Sequence, residues 1–184
     1  MSANTWWWLA AVLGMAAGVA LAVLAQWRHR PALALPAVLP AAVGVVVHAA
    51  NLTRHAPAQA WVVVLSAVVA ALGVVGGSPI TTWVLQRTEP PSTTGPTGGI
   101  LVGGRADGET EILRGGTTIG YLERFAVIGA AAVGRLEIVA AVIAIKGLGR
   151  FTELSSAVAR ERFIIGTLVS LLWAGVCGGL IWRY

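Results

Sequence analysis

Long apolar runs separated by short polar breaks set the plan of this chain. They extend from Trp6 to Gln26, Pro31 to Thr53, Gln59 to about Gln86, Ile119 to Ile145 and Phe163 to Trp182. Each meets or nearly meets the roughly 20 residues a helix needs to cross a hydrocarbon core about 30 Å thick. Because unpaired backbone groups are too costly in lipid, the pattern predicts an all-α integral membrane protein with about five transmembrane helices. Trp6, Trp7, Trp8, Trp27, Trp61 and Trp182 fall at the ends of these runs, where amphipathic rings prefer the membrane interface. The first run lacks a basic stretch ahead of it and is too long for a typical signal-peptide core, so it reads as a retained span. The predicted organisation is three helices within 1–87, an extramembrane loop over 88–116, and two helices with a basic connecting loop within 117–184.

Local breakers modify this plan. Pro31 can open the second helix, whereas Pro36 and Pro40 should bend it, since each lacks a backbone donor and disfavours helix in the residue before it. In the third run, Gly76-Gly77-Ser78-Pro79 combines helix-ending glycines, a preferred N-cap and a proline suited to a first helical position. A helix broken near Gly76 to Pro79 is expected. Free N–H groups at Gly77 and Ser78, with the Thr81 and Thr82 hydroxyls, would then point at an anion. The competing reading ends the span at Gly76 and lays Pro79 to Arg87 along the interface.

Small residues recur every fourth position in two runs, at Ala10, Gly14, Gly18 and Ala22 and at Gly166, Ser170, Ala174 and Gly178. In lipid, close backbone approach through such ladders takes the place of the hydrophobic effect. Two ladders in a bundle of five helices leave one for a contact between copies, so a homo-oligomer is a candidate assembly. The connection from Thr88 to Gly116 opens with Pro, Gly, Ser and Thr and reads as an irregular linker. Ile100-Leu-Val and Glu111-Ile-Leu could form a hairpin closed through Asp107-Gly108.

Composition agrees with a lipid environment: of 184 residues, 57% are hydrophobic and only 11% charged, against about 25% charged in a soluble domain. The net charge of +5 comes from basic residues mainly at the ends of apolar runs, which suits anionic membrane lipid and not nucleic acid. The single cysteine, Cys177, excludes a disulfide framework. With five spans and an outer amino terminus, Arg28, Arg30, Arg87, Arg105, Arg114 and Arg183 lie inside, against Arg54, Lys146, Arg150, Arg160 and Arg162 outside. Six against five sets no orientation under the positive-inside rule. Either the rule is weak in this chain or it inserts in both senses as an antiparallel dimer.

The fourth run is the most unusual, because Arg135 and Glu137 lie near its middle and each costs roughly 2.5–3.5 kcal/mol there. On one continuous helix, Glu123 and Glu137 share a face within about 40°, and Arg124, Arg135 and Lys146 form a second stripe. Both stripes must then face other helices or a wet cavity. A structural ion-pair cluster and a solute or proton path are both open readings. Lys146, Arg150 and Glu153 suggest an interfacial loop meeting lipid phosphates. His48, Asn51 and His55 share one helical face, too few firm ligands for a metal. No Ser/His/Asp group, paired catalytic aspartates, Cys-x-x-Cys or HExxH occurs, so no metal, cofactor or catalytic residue is expected.

Three segments carry a resemblance: Arg114-Gly-Gly-Thr-Thr-Ile-Gly-Tyr-Leu-Glu-Arg-Phe, Ala144-Ile-Lys-Gly-Leu-Gly-Arg-Phe-Thr-Glu-Leu and Glu161-Arg-Phe-Ile-Ile-Gly-Thr-Leu-Val-Ser-Leu-Leu-Trp-Ala. Their Ile-Gly-x-Leu-Glu-Arg, Ala-x-Lys-x-x-x-Arg-Phe and Ile-Gly-Thr-Leu-x-Ser patterns resemble a group of small bacterial multi-pass membrane proteins, the actinobacterial members above all, with no established activity. The resemblance spans roughly 114–174 and implies a bacterial inner (plasma) membrane location. It draws attention to Glu123, Arg124, Lys146, Arg150, Glu153, Gly166, Thr167 and Ser170; Arg135 stands where several relatives carry Gln. The expected function is binding or transport of an anionic solute or lipid head group in a polar intramembrane cavity formed by Gly77, Ser78, Thr81, Thr82, Glu123, Arg124, Glu137, Lys146 and Arg150. The alternative is a structural or interaction subunit held together by an internal ion-pair network; an enzyme acting on lipid ranks third.

Overall fold

The computed structural model describes residues 3–52, 55–88, 100–102, 110–112, 116–151 and 157–182. Among these, the helices are α1 (Ala3–Trp27), α2 (Val38–Ala49), α3 (Gln59–Thr88), α4 (Gly116–Ala132), α5 (Leu136–Phe151) and α6 (Ala157–Trp182), with a 3-10 helix (Pro31–Ala37) leading into α2. Two three-residue strands, β1 (Ile100–Val102) and β2 (Thr110–Ile112), pair antiparallel with Ile100 opposite Ile112. The expected turn at Asp107-Gly108 lies outside the described residues. Among the described residues, four stretches are long and apolar enough to cross a membrane: Asn4–Trp27, Pro31–Ala49, Gln59–Thr88 and Ala157–Trp182. Large apolar side chains such as Leu13, Val46, Ile145, Leu148 and Leu172 stand exposed on their outer faces, a surface that suits lipid.

Proline shapes the second run through a 3-10 start where bends at Pro36 and Pro40 were expected. Pro31 sits in the first turn of the 3-10 helix and Pro36 inside it, so the chain winds tightly before relaxing into α2. Pro40 falls in the first turn of α2, where a missing N–H leaves no intrahelical acceptor unpaired.

Two expectations are overturned. The third run is not broken: α3 is one helix of 30 residues with Pro79 inside it, for a reason that lies in the packing described below. The fourth run is not one helix. After Ala132 the chain turns with Gly134 at φ +70°, and Gly134 N–H donates to Ala131 O at 3.1 Å while Arg135 N–H donates to Ala130 O at 2.8 Å. This is a Schellman ending with glycine in the left-handed position, and α5 then runs back along α4.

The contacts order the bundle. Asn4 Nδ2 donates to His55 O at 2.7 Å, placing the start of α1 beside the connection that precedes α3. A Cβ on Gly166 would lie 3.5 Å from both Thr81 and Leu85 side chains, so the start of α6 meets the last part of α3. A Cβ on Gly134 would lie 3.6 Å from Trp182 Nε1, so the α4–α5 turn sits beside the end of α6. One end of the bundle therefore collects the start of α1, the α2–α3 connection, the α4–α5 turn and the end of α6. The other collects the end of α1, the end of α3, the start of α4, the end of α5 and the start of α6.

Both small-residue ladders make close contacts inside this bundle. Gly14 faces Pro40, and Gly18 faces Ala37 and Leu72. On α6, Gly166 meets α3, Ala174 is fully buried, and Gly178 meets Ala131 and Ile128 of α4. Ala10, at the start of the first ladder, is exposed. The core between them is built on Trp8, Met15, Leu65, Leu72, Ile128 and Trp173.

Candidate functional site

The polar centre of the bundle is built around the proline inside α3. Pro79 has no N–H, so the carbonyl four residues back, at Val75, loses its helical partner. Gln26, near the end of α1, supplies a replacement: its Nε2 donates to Val75 O at 2.8 Å. Tyr121 of α4 holds that amide by donating its hydroxyl to Gln26 Oε1 at 2.5 Å. One residue earlier, Val74 O accepts from Arg124 Nε at 2.7 Å, and Leu72 O accepts from Trp173 Nε1 at 3.3 Å. Side chains from three helices thus satisfy α3 where the sequence leaves it weakest, which is why the helix continues through Gly76 to Pro79.

Arg124 is the centre of this network and is only 3% exposed. Besides Val74 O, it donates from Nη1 to Ser170 Oγ at 3.0 Å and from Nη2 to Ser78 Oγ at 2.7 Å. Its Cζ lies 5.2 Å from the Tyr121 ring centroid, within reach of a cation–π attraction. Glycine makes the slot: a Cβ on Gly77 would lie 2.7 Å from Arg124 Nε, and one on Gly120 would lie 3.2 Å from Nη1. Among the described residues no carboxylate pairs with Arg124. Its charge is held by a carbonyl and two hydroxyls.

The neighbouring residue, Glu123, points the other way and pairs with Lys146 across the α4–α5 hairpin. The two side chains are 12% and 16% exposed, and Lys146 Nζ stands 5.9 Å from the Phe163 ring centroid. The pair supplies the charged part of the lining of a cleft of about 380 Å³, otherwise walled by Ile119, Leu122, Ala126, Val142 and Ile145. Leu122 and Ile145 are exposed, so the cleft opens sideways, away from the bundle core.

The candidate residues therefore divide. Gly77, Ser78, Arg124 and Ser170 come together in the interior. Thr82 Oγ1 donates to Ser78 O on its own helix at 3.0 Å, and the buried Thr81 Oγ1 finds no hydrogen-bond partner in the structure. Glu123 and Lys146 form the cleft pair. Glu137 belongs to neither group: with Arg135 it makes an ion pair of 3.2 Å, both side chains about two-thirds exposed (65% and 69%), at the turn between α4 and α5. These two charges are not hidden against other helices, because the helix ends before it would bury them. Arg150 lies in α5, but its side chain and Glu153 lie outside the described residues. The face proposed for His48, Asn51 and His55 does not exist, since α2 ends at Ala49 and Asn51 turns the chain at φ +54°.

Gln26, Tyr121 and Trp173 escaped the sequence reading. A glutamine closing an apolar run was a signal available for the first of them. No family model, curated protein or solved structure matches the chain, so function must be argued from this geometry.

Proposed function

We propose that this is a six-pass integral membrane protein of a bacterial inner membrane that holds a phospholipid in the lateral cleft between α4 and α5. The observation that carries the reading is the cleft itself, with apolar walls suited to an acyl chain and one ionic pair in its lining. At about 1.5 Å per residue, Glu123 lies roughly 10 Å and Lys146 roughly 8 Å in from the hairpin's open end, a depth that suits the boundary between headgroup and acyl chain. The filled centre favours lipid over a solute path, because the three nitrogens of Arg124 are already engaged by protein acceptors. That interior network is a brace, and in this respect the structural reading of the charges is the better supported.

Native mass spectrometry of the protein extracted in mild detergent tests the proposal. One phospholipid per chain is expected on the wild type. Ala126→Trp, which fills the cleft, should remove the adduct while leaving the melting temperature within a few degrees. A lipid-free wild type, or an adduct indifferent to Ala126→Trp, would overturn the reading.

Orientation follows from the hairpin. When the fourth run enters and returns instead of crossing once, chain order assigns Arg28, Arg30, Arg87, Arg105, Arg114, Lys146, Arg150, Arg160 and Arg162 to one side of the membrane, against Arg54, Arg135 and Arg183 on the other. Nine against three favours a single orientation, with the basic side in the cytoplasm and the start of α1 and the end of α6 outside. In a Cys177→Ala background, an impermeant maleimide should label His55→Cys in intact cells and Gln86→Cys only after permeabilisation. Equal labelling of both would instead demonstrate dual insertion.

A further inference from the structure

We infer that the cleft selects an anionic phospholipid, a monoanionic phosphodiester whose headgroup carries hydroxyls and no ammonium, drawn from the cytoplasmic leaflet. The choice rests on the cleft being a lipid site and adds the headgroup class.

The argument is a charge count. Three ionisable side chains are embedded side by side in the hairpin: Glu123, Arg124 and Lys146. Arg124 is 3% exposed with no carboxylate among the described residues to balance it, and Glu123 is already matched by Lys146. The embedded set therefore carries one uncompensated positive charge. In a low-dielectric surrounding such a charge acts over longer distances than in water. A headgroup bearing one net negative charge neutralises it, whereas a zwitterionic headgroup brings no net charge and leaves the excess in place.

The local geometry adds direct recognition. An ammonium has three donors; the Glu123 carboxylate takes one, leaving Lys146 donors for a phosphate oxygen in the cleft. Glu123 then needs a donor from the ligand side, and a headgroup hydroxyl supplies it without adding charge. A headgroup ammonium would also satisfy Glu123, which makes net charge the discriminating quantity. With the basic end in the cytoplasm, the Glu123–Lys146 pair lies at the inner leaflet, whose anionic surface raises the local supply of such lipids.

The test uses the full chain in nanodiscs containing equal amounts of phosphatidylglycerol and phosphatidylethanolamine, with the bound species identified after release into the gas phase. Wild type is expected to retain phosphatidylglycerol over phosphatidylethanolamine by roughly tenfold, about 1.4 kcal/mol. Glu123→Gln removes a negative charge and should raise the preference further. The double variant Glu123→Gln with Lys146→Gln leaves no orphaned carboxylate and removes the phosphate donor, but keeps the excess positive charge on Arg124, so it should hold less lipid overall while still preferring phosphatidylglycerol; a ratio near one would overturn the charge count. Phosphatidylserine, a phosphodiester of net charge −1 that carries an ammonium in place of hydroxyls, serves as a third probe: equal retention with phosphatidylglycerol would show that charge alone is read and overturn the hydroxyl part. A wild type that holds one lipid per chain with no headgroup preference would overturn the selectivity while leaving the cleft as a lipid site. Loss of the adduct's dependence on Ala126→Trp would remove the site itself.

Discussion

Gly77→Val is expected to leave little folded protein. The Cβ it introduces would lie 2.7 Å from Arg124 Nε and 3.1 Å from Cζ, too close for any side chain to tolerate. Arg124 cannot step aside cheaply, because it is 3% exposed and its three nitrogens engage Val74, Ser170 and Ser78. Displacing it strands a positive charge away from water and unpairs two hydroxyls and a carbonyl at once. Breaking a buried charged interaction of this kind costs about 3–5 kcal/mol, a large share of the net stability of an ordinary domain. The melting temperature in detergent should fall by more than ten degrees, or the monodisperse peak should vanish on size exclusion. Gly129→Ala in α4 is the matched control, since a Cβ there meets nothing within 4 Å. It should be neutral or slightly stabilising, because alanine favours helix over glycine by up to about 1 kcal/mol. Equal stability of the two variants would mean that the slot around Arg124 does not hold the bundle together.

The way Gly77 and Arg124 meet shows which features were legible in the sequence. Run lengths and interfacial tryptophans marked α1, the 3-10 helix with α2, α3 and α6, because hydropathy over about 20 residues is a local property. The small-residue ladders were also local, and they did mark close helix contacts, though within one chain. Gly76-Gly-Ser-Pro failed as a break signal for the opposite reason. Its local chemistry does weaken the helix, but the remedy comes from Gln26 and Arg124, which lie 49 and 50 residues away from the carbonyls they serve. No local pattern can announce that.

The fourth run reversed the error. Its glycine in Ala131-Ala-Val-Gly-Arg was a legible C-cap followed by charge, yet the apolar residues on both sides masked the turn. Charge stripes computed along a continuous helix then placed Glu123 and Lys146 on different faces. In the hairpin they face each other, because turning the chain at Gly134 converts a separation of 23 residues into a contact. On the six-pass path proposed above, the same turn divides the basic residues nine to three where a single crossing gave six and five.

Gln26→Leu together with Pro79→Ala gives the sharpest test of how α3 survives its proline. Gln26→Leu alone removes the donor to Val75 O and also the acceptor of the Tyr121 hydroxyl. A buried carbonyl left without a partner costs about 1–3 kcal/mol, and no water is at hand in lipid to replace it. The variant should melt several degrees below wild type. Pro79→Ala alone restores an N–H four residues after Val75, in reach of the same carbonyl, and relieves the ring's clash with the preceding turn. It should be close to neutral, since Val75 O is already satisfied and the helix must still accommodate Arg124. In the double variant, the backbone N–H regained at position 79 takes over the carbonyl that the lost glutamine amide no longer serves, so a large part of the loss should return. The interaction between the two changes, measured as the departure from additivity in a double-mutant cycle, is expected to be favourable by about 1 kcal/mol. Tyr121→Phe added to the double variant removes the one hydroxyl left without its acceptor and should restore most of the remainder. If Pro79→Ala gave Gln26→Leu no relief, the amide of Gln26 would be serving something other than the carbonyl freed by proline.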